Sequence, residues 1–142
     1  WQGGWLVFKD HPLTGCGFKC IDAVHQDYPD PTGHIKKLRG LHNNYIQLAV
    51  DTGLFGLVSW ISIWVVYFMT LYQRLTSIQG NAAFRRDAMG SAAAVVGFLV
   101  AGIFETNFYD AEVSMLLYFI LALPFTATRF LSREDNMQNP SS

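Results

Sequence analysis

The sequence predicts an all-α, polytopic membrane protein, and three observations lead to that fold class. Hydrophobic residues make up 51% of the 142-residue chain. Charged residues make up only 15%, against roughly 25% in a soluble domain. Three uncharged runs follow residue 51. A helix needs about 20 apolar residues to cross a bilayer. The first run, 52–72, has that length, and the second and third, 88–104 and 113–128, are shorter.

Residues 1–44 contain no apolar run of spanning length and are predicted to form one large loop. Proline and glycine punctuate it in two turn-forming clusters, at residues 10–17 and 27–33. Gly15 and Gly17 of the first cluster are expected to make a tight turn.

Three transmembrane helices are predicted within residues 45–128, at about 52–72, 88–108 and 113–128. The second is rich in Gly and Ala, which lets membrane helices pack closely. Gly53 and Gly56 are expected to allow a similar close helix contact in the first. Pro124 is expected to kink or end the third helix, and a polar tail follows at 129–142.

Lys and Arg counts in the short connections predict the orientation. The connection 73–87 carries three arginines and the tail carries two, whereas 105–112 carries none. The first two are therefore predicted to be cytoplasmic. The 1–44 loop then lies on the outer face, which is the periplasm for a bacterial inner membrane.

His42 stands where the polar loop meets the first apolar run. If a helix starts near it, Asn44, Gln47 and Asp51 form a polar stripe on one face. Histidine side chains exchange protons near neutral pH, so His42 is the first candidate for a general base. The alternative is a histidine that only caps the helix or bonds its neighbours.

The residues around His42 resemble the signature of the O-antigen ligase and O-antigen polymerase superfamily of bacterial membrane glycosyltransferases. His42-Asn43 is followed by nine residues and then by Gly53-Leu54-Phe55-Gly56. Trp5, the turn at 10–17 and the stretch 104–113 follow the family pattern in the same order. The resemblance extends to about Phe125 and implies that the chain is the C-terminal part of a larger helical fold.

The resemblance implies an inverting, metal-independent transfer that needs no cofactor. A glycan would pass from a polyprenyl diphosphate carrier to an acceptor hydroxyl on the periplasmic side, with His42 in the place of the catalytic histidine. Arg39 and Lys37 would support the diphosphate, unless they are merely solvated or paired with lipid head groups. The principal diphosphate-binding arginines of the family lie upstream and match no position here. Asn43 and Asn44 are read as ligands of the acceptor sugar or as helix caps.

The acceptor separates three related functions. A ligase uses lipid A-core oligosaccharide, a polymerase uses a second lipid-linked repeat, and a protein O-oligosaccharyltransferase uses protein hydroxyls. A non-enzymatic transporter or assembly component is the alternative of a different class, although all three runs lack the central charges of transporters. Membrane lipid is an expected partner. Nucleic acid is not, because the net charge is −1 and no basic run carries interleaved aromatics.

Two further groups of residues keep open alternatives. Cys16 and Cys20 lie on the oxidising side, so a disulfide and two buried thiols are both possible. Their spacing to His25 and His34 follows no standard zinc pattern, and no metal site is predicted. The acids of the 105–112 connection either orient a sugar or form an exposed turn; they are Glu105, Asp110 and Glu112.

Overall fold

The computed structural model describes residues 2–24, 26–28, 41–77 and 82–138, with side chains up to residue 126. Its helices are α1 (Gln2–Asp10), α2 (Ile21–Val24), α3 (Asn44–Ser77), α4 (Ala82–Ala101) and α5 (Ala111–Gln138). No strand occurs in these ranges, which confirms the all-α prediction. The segment predicted as one loop contains α1 and α2.

α3 is the helix that fits a membrane span. Within the described ranges it alone is long and apolar enough to cross a bilayer, and only 17% of its most apolar window is buried inside the protein. α4 carries three charged residues near its start, Arg85, Arg86 and Asp87. The apolar part of α5, Ala111–Thr126, is shorter than α3. The structure thus supports one span, and the other two stay predictions.

The observed helix ends differ from the predicted ones. The second predicted helix, 88–108, lies at Ala82–Ala101, and residues 102–110 form a connector of turns and extended chain. The helix ends there because the carbonyl of Gly102 accepts the backbone N–H of Asn44 at 2.7 Å. A side chain on Gly102 would also overlap Asn44, since its Cβ would lie 2.4 Å from Nδ2.

Pro124 lies inside α5 and does not end it. Proline lacks the N–H that would bond the carbonyl four residues earlier, which here is the carbonyl of Ile120. The Ser91 hydroxyl of α4 donates to that carbonyl at 2.9 Å, and the Tyr67 hydroxyl of α3 meets Ser91 Oγ at 2.5 Å. The helix therefore continues because a neighbouring helix supplies the missing donor.

The core has two parts. The larger lies between α3, α4 and α5 and includes Tyr67, Leu71, Phe84, Val95 and Leu117. The smaller joins α1 and α2 to the first turns of α3 and contains Val7, Cys20, Ile21, Leu41 and Val50.

α3 is broken at Gly53, whose backbone has φ 67° and ψ −166°. The break frees carbonyls before it and N–H groups after it, and the loop 12–17 bonds both sets. Four backbone hydrogen bonds do this: Leu54 N–H to Pro12 O (2.8 Å), Phe55 N–H to Leu13 O (3.3 Å), Cys16 N–H to Val50 O (3.0 Å) and Gly17 N–H to Asp51 O (3.0 Å).

Glycine is required on both sides of this contact. A Cβ on Gly53 would lie 2.3 Å from the carbonyl of Leu13, and one on Gly15 would lie 2.4 Å from the backbone of Asp51. Both residues also have positive φ angles, which glycine adopts without a steric penalty. The close approach at Gly53 is thus made to a loop, where the sequence predicted a helix contact.

Candidate active site

His42 precedes α3 in a strained backbone conformation. Its φ is 48°, in the left-handed region that residues with a side chain rarely occupy. Asn43 then caps the helix, because its Oδ1 accepts the backbone N–H of Ile46 at 2.9 Å. Strain of this kind persists only where surrounding contacts hold it.

Asn43 and Asn44 hold the connector 102–110 against the start of α3. Asn43 donates from Nδ2 to the carbonyl of Ile103 (2.8 Å) and from its backbone to Thr106 Oγ1 (3.1 Å). Asn44 exchanges hydrogen bonds with Asn107, through Nδ2 and through Oδ1. Both asparagines are buried. Their contacts favour a positioning role, and direct binding to a sugar stays a prediction.

We call these hydrogen bonds of Asn43 and Asn44 to the connector the clasp. The clasp holds Glu105 beside His42. Glu105 Oε1 lies 2.9 Å from Nδ1 of the imidazole, and Oε2 lies at 3.1 Å. Glu105 also accepts the backbone N–H of Thr106 at 3.0 Å. That backbone bond, together with the imidazole, lowers the pKa of the Glu105 carboxyl. A carboxylate only accepts hydrogen bonds, so the pair places a proton on Nδ1, and in the neutral imidazole the lone pair then lies on Nε2.

The second ring nitrogen of His42, Nε2, is not used in the contacts among the described residues. It is shielded from solvent and has no hydrogen-bond partner among the described residues, although 42% of the side chain as a whole is exposed. Buried polar atoms are nearly always paired. An unpaired imidazole nitrogen is suited to accept a hydrogen bond from a hydroxyl.

A second polar group lies beneath the clasp around Asp51, which is 2% exposed. Gln47 donates from Nε2 to both carboxylate oxygens, at 3.1 and 3.2 Å, and the Tyr109 hydroxyl donates to Oδ2. Gln47 Oε1 accepts the backbone N–H of Leu41 at 3.2 Å. The predicted polar stripe therefore forms, and it ties the residue before His42 to the end of the connector.

Cys16 and Cys20 form a disulfide, with Cα atoms 5.8 Å apart, inside the usual range. This decides between the two alternatives for the thiols. Cys16, Cys20 and Asp51 lie close enough together to hold a metal ion by position. The disulfide, however, removes the two thiolates that zinc would require.

The remaining residues singled out by the sequence fall into two groups, those outside the described residues and those in the connector region. Lys37 and Arg39 lie outside the described residues, as do His25 and His34, so their roles stay predictions. Asp110 caps α5, because its Oδ1 accepts the backbone N–H of Glu112 at 3.0 Å. Of the three acids of the connector region, Glu105 is the one that contacts His42.

Glu105 is the residue that the sequence left undecided between an exposed turn and a role at the site. It is separated from His42 by 63 positions, and no local pattern indicates their contact. The one available signal was the resemblance of the stretch 104–113 to the family pattern.

Part of the chain is similar to a known protein family. The family model described as O-antigen ligase matches residues 1–61, a range that contains the loop 10–17, His42 and the Gly53 break. No curated protein and no solved structure matches the chain significantly. Residues 1–61 of the chain are therefore similar to the O-antigen ligase family.

Proposed function

We propose that the chain carries the catalytic base of a membrane glycosyltransferase. The enzyme transfers a glycan from a polyprenyl diphosphate carrier to an acceptor hydroxyl on the periplasmic face. The family match supports a ligase-like membrane function in polysaccharide biosynthesis. The observation that carries the finer proposal is the pairing of His42 Nδ1 with Glu105 at 2.9 Å. This pairing leaves the other ring nitrogen, Nε2, available to accept a proton from the acceptor hydroxyl.

The chemistry follows from that pair. Nε2 of His42 accepts the proton of the acceptor hydroxyl while the hydroxyl oxygen attacks the anomeric carbon of the donor sugar. The bond from that carbon to the diphosphate breaks, and the polyprenyl diphosphate leaves with the electron pair. Attack opposite the leaving group inverts the anomeric configuration. Glu105 stabilises the imidazolium that forms and keeps the ring oriented.

The leaving diphosphate needs positive charge. In this proposal cationic side chains supply it in place of a divalent metal, with Arg39 and Lys37 in support of arginines from other parts of the enzyme. Arginine suits this task because its planar guanidinium bonds phosphate oxygens in pairs. Asn43 and Asn44 act on the acceptor through the position they give His42.

We place the function with the ligases, which attach a completed chain to lipid A-core oligosaccharide. The lipopolysaccharide profile of a deletion strain tests this choice. A strain without a ligase keeps long lipid-linked chains unattached, and a strain without a polymerase attaches single repeats. Glycan missing from a protein, with unchanged lipopolysaccharide, would assign the chain to the protein O-oligosaccharyltransferases.

The test of the base is His42→Ala in the protein expressed from its intact gene. General-base catalysis contributes roughly 10²–10⁴-fold, so glycan attachment should fall by about a hundredfold or more. Membrane insertion and protein level, followed by an epitope tag, should match the parent. His11→Ala is the matched control, because the exposed His11 side chain has no place in the proposed chemistry. Unchanged attachment in His42→Ala would remove His42 as the base.

A further inference from the structure

Leu13 lies beside the first residues of α3 that follow the Gly53 break. Its carbonyl accepts the backbone N–H of Phe55 at 3.3 Å. The same carbonyl comes so close to Gly53 that a Cβ there would lie 2.3 Å away. The tip of the loop is therefore fixed at the level where the apolar part of α3 begins.

The side chains at this level are apolar and face outward. Leu13 is 55% exposed, Leu54 is 46% exposed and Phe55 is 65% exposed. Val58, one turn further along α3, is exposed as well. Leu13 thus extends the outward apolar surface of the candidate span beyond the helix break.

Four backbone groups of α3 at this break are bonded by the loop. The N–H groups of Leu54 and Phe55 are bonded by loop carbonyls, and two carbonyls before the break are bonded by loop N–H groups. Irregular backbone is tolerated at membrane depth where the protein itself bonds its polar groups. The break in α3 meets that condition at these four groups.

We propose that Leu13 enters the lipid of the leaflet on the His42 side, next to Leu54 and Phe55, and that the loop 12–17 is a membrane anchor. The proposal depends on the placement of α3 in the bilayer and is independent of glycan transfer. Its consequence is that lipid contact, in addition to the Cys16–Cys20 disulfide, holds the loop in the break below His42.

Site-directed spin labelling of the whole protein in phospholipid vesicles tests the anchor. A nitroxide on Leu13→Cys should collide readily with oxygen, which concentrates in lipid, and poorly with a water-soluble nickel chelate. Ile63→Cys, exposed further along α3, is the lipid control. Gln26→Cys, exposed after α2, is the aqueous control. The parent protein, which has no introduced cysteine, should not react with the spin label, because its two cysteines form the disulfide.

The possible results separate the anchor from the span. High nickel accessibility at position 13, with lipid contact at position 63, would overturn the anchor and leave the span intact. Low accessibility to both reagents at position 13 would mean that protein covers the loop, and would also overturn the anchor. An aqueous signal at position 63 would overturn the membrane placement of α3, and the anchor with it.

Discussion

At the scale of single residues, the strained backbone of His42 is held by the hydrogen bonds that Asn43 and Asn44 make to the connector 102–110. A φ of 48° is unfavourable for histidine, and isolated strain of this kind costs on the order of 1–3 kcal/mol. Asn43 and Asn44 offset it, because each bonds the connector through both backbone and side chain. The strained conformation is thus the product of a buried clasp, and its result is an imidazole held against Glu105.

Glu105→Gln tests the partner of the base. The amide keeps the size of the side chain but removes the negative charge that stabilises the imidazolium. We expect glycan attachment to fall by about tenfold, less than in His42→Ala, because the base itself remains and contributes most of its roughly 10²–10⁴-fold effect. Glu112→Gln, an exposed acid that lies outside the pair, should retain parental activity. Equal activity of Glu105→Gln and the parent would remove Glu105 from the mechanism.

The same carboxyl predicts a pH dependence of stability. Its pKa is lowered in the folded protein, so its stabilising effect is fully present above the unfolded value of about 4.3. That effect is lost as the pH falls through the lowered folded value. Thermal unfolding in detergent should therefore show a small advantage of the parent over Glu105→Gln near neutral pH, and the advantage should vanish in strong acid. The effect is small because the side chain is 60% exposed. An advantage that grows on acidification would contradict this sign.

At the scale of elements, the Gly53 break joins features that stand far apart in the sequence. The loop glycines and the helix glycines each carry a turn or packing signal, but their contact depends on four backbone hydrogen bonds. Backbone bonds leave no trace in side-chain patterns. For this reason the sequence predicted a close contact between helices at Gly53 and a separate tight turn at Gly15, and it did not predict that the two glycines lie in one contact.

Gly53→Ala should destabilise the protein by about 2–4 kcal/mol, because the new Cβ meets the Leu13 carbonyl at 2.3 Å and φ is 67°. The free energy of unfolding in mixed micelles measures this. Gly97→Ala is the control, since a Cβ there meets nothing within 4 Å. Alanine inside a helix is favoured over glycine by up to about 1 kcal/mol, so this variant should be neutral or more stable. Equal effects of the two substitutions would show that the break is not a fixed contact.

At the scale of the whole molecule, the sequence predicted what depends on local composition. The helical class and the apolar character of α3 both follow from residues close together in the chain, whereas the role of His42 stays a prediction. The partner of His42 does not, because Glu105 is 63 positions away and reaches it through the buried Asn43 and Asn44. Pro124 fails as a helix end for the same reason, since Ser91 of another helix supplies the donor.

Long-range contacts also fix which ends of the three helices lie together. Asn44, at the start of α3, bonds Gly102 at the end of α4. At the other end of α3, the Arg74 guanidinium lies 5.0 Å from the ring of Phe125, far along α5. The three helices therefore alternate in direction, with His42, Glu105 and Glu112 at one end. Arg74 near the end of α3, and Arg85 and Arg86 near the start of α4, lie at the other end.

The positive-inside rule turns this arrangement into a prediction of sidedness. A membrane-impermeant maleimide should label Glu112→Cys in intact spheroplasts of the bacterial host, because that end is predicted to face the periplasm. Gln73→Cys, exposed at the other end of α3, should be labelled only after the membrane is permeabilised. The reverse pattern would place His42 in the cytoplasm, where periplasmic acceptors are absent, and the proposed transfer would then be excluded. Labelling of both positions in intact spheroplasts would contradict the span itself, since the two ends of α3 would share one compartment.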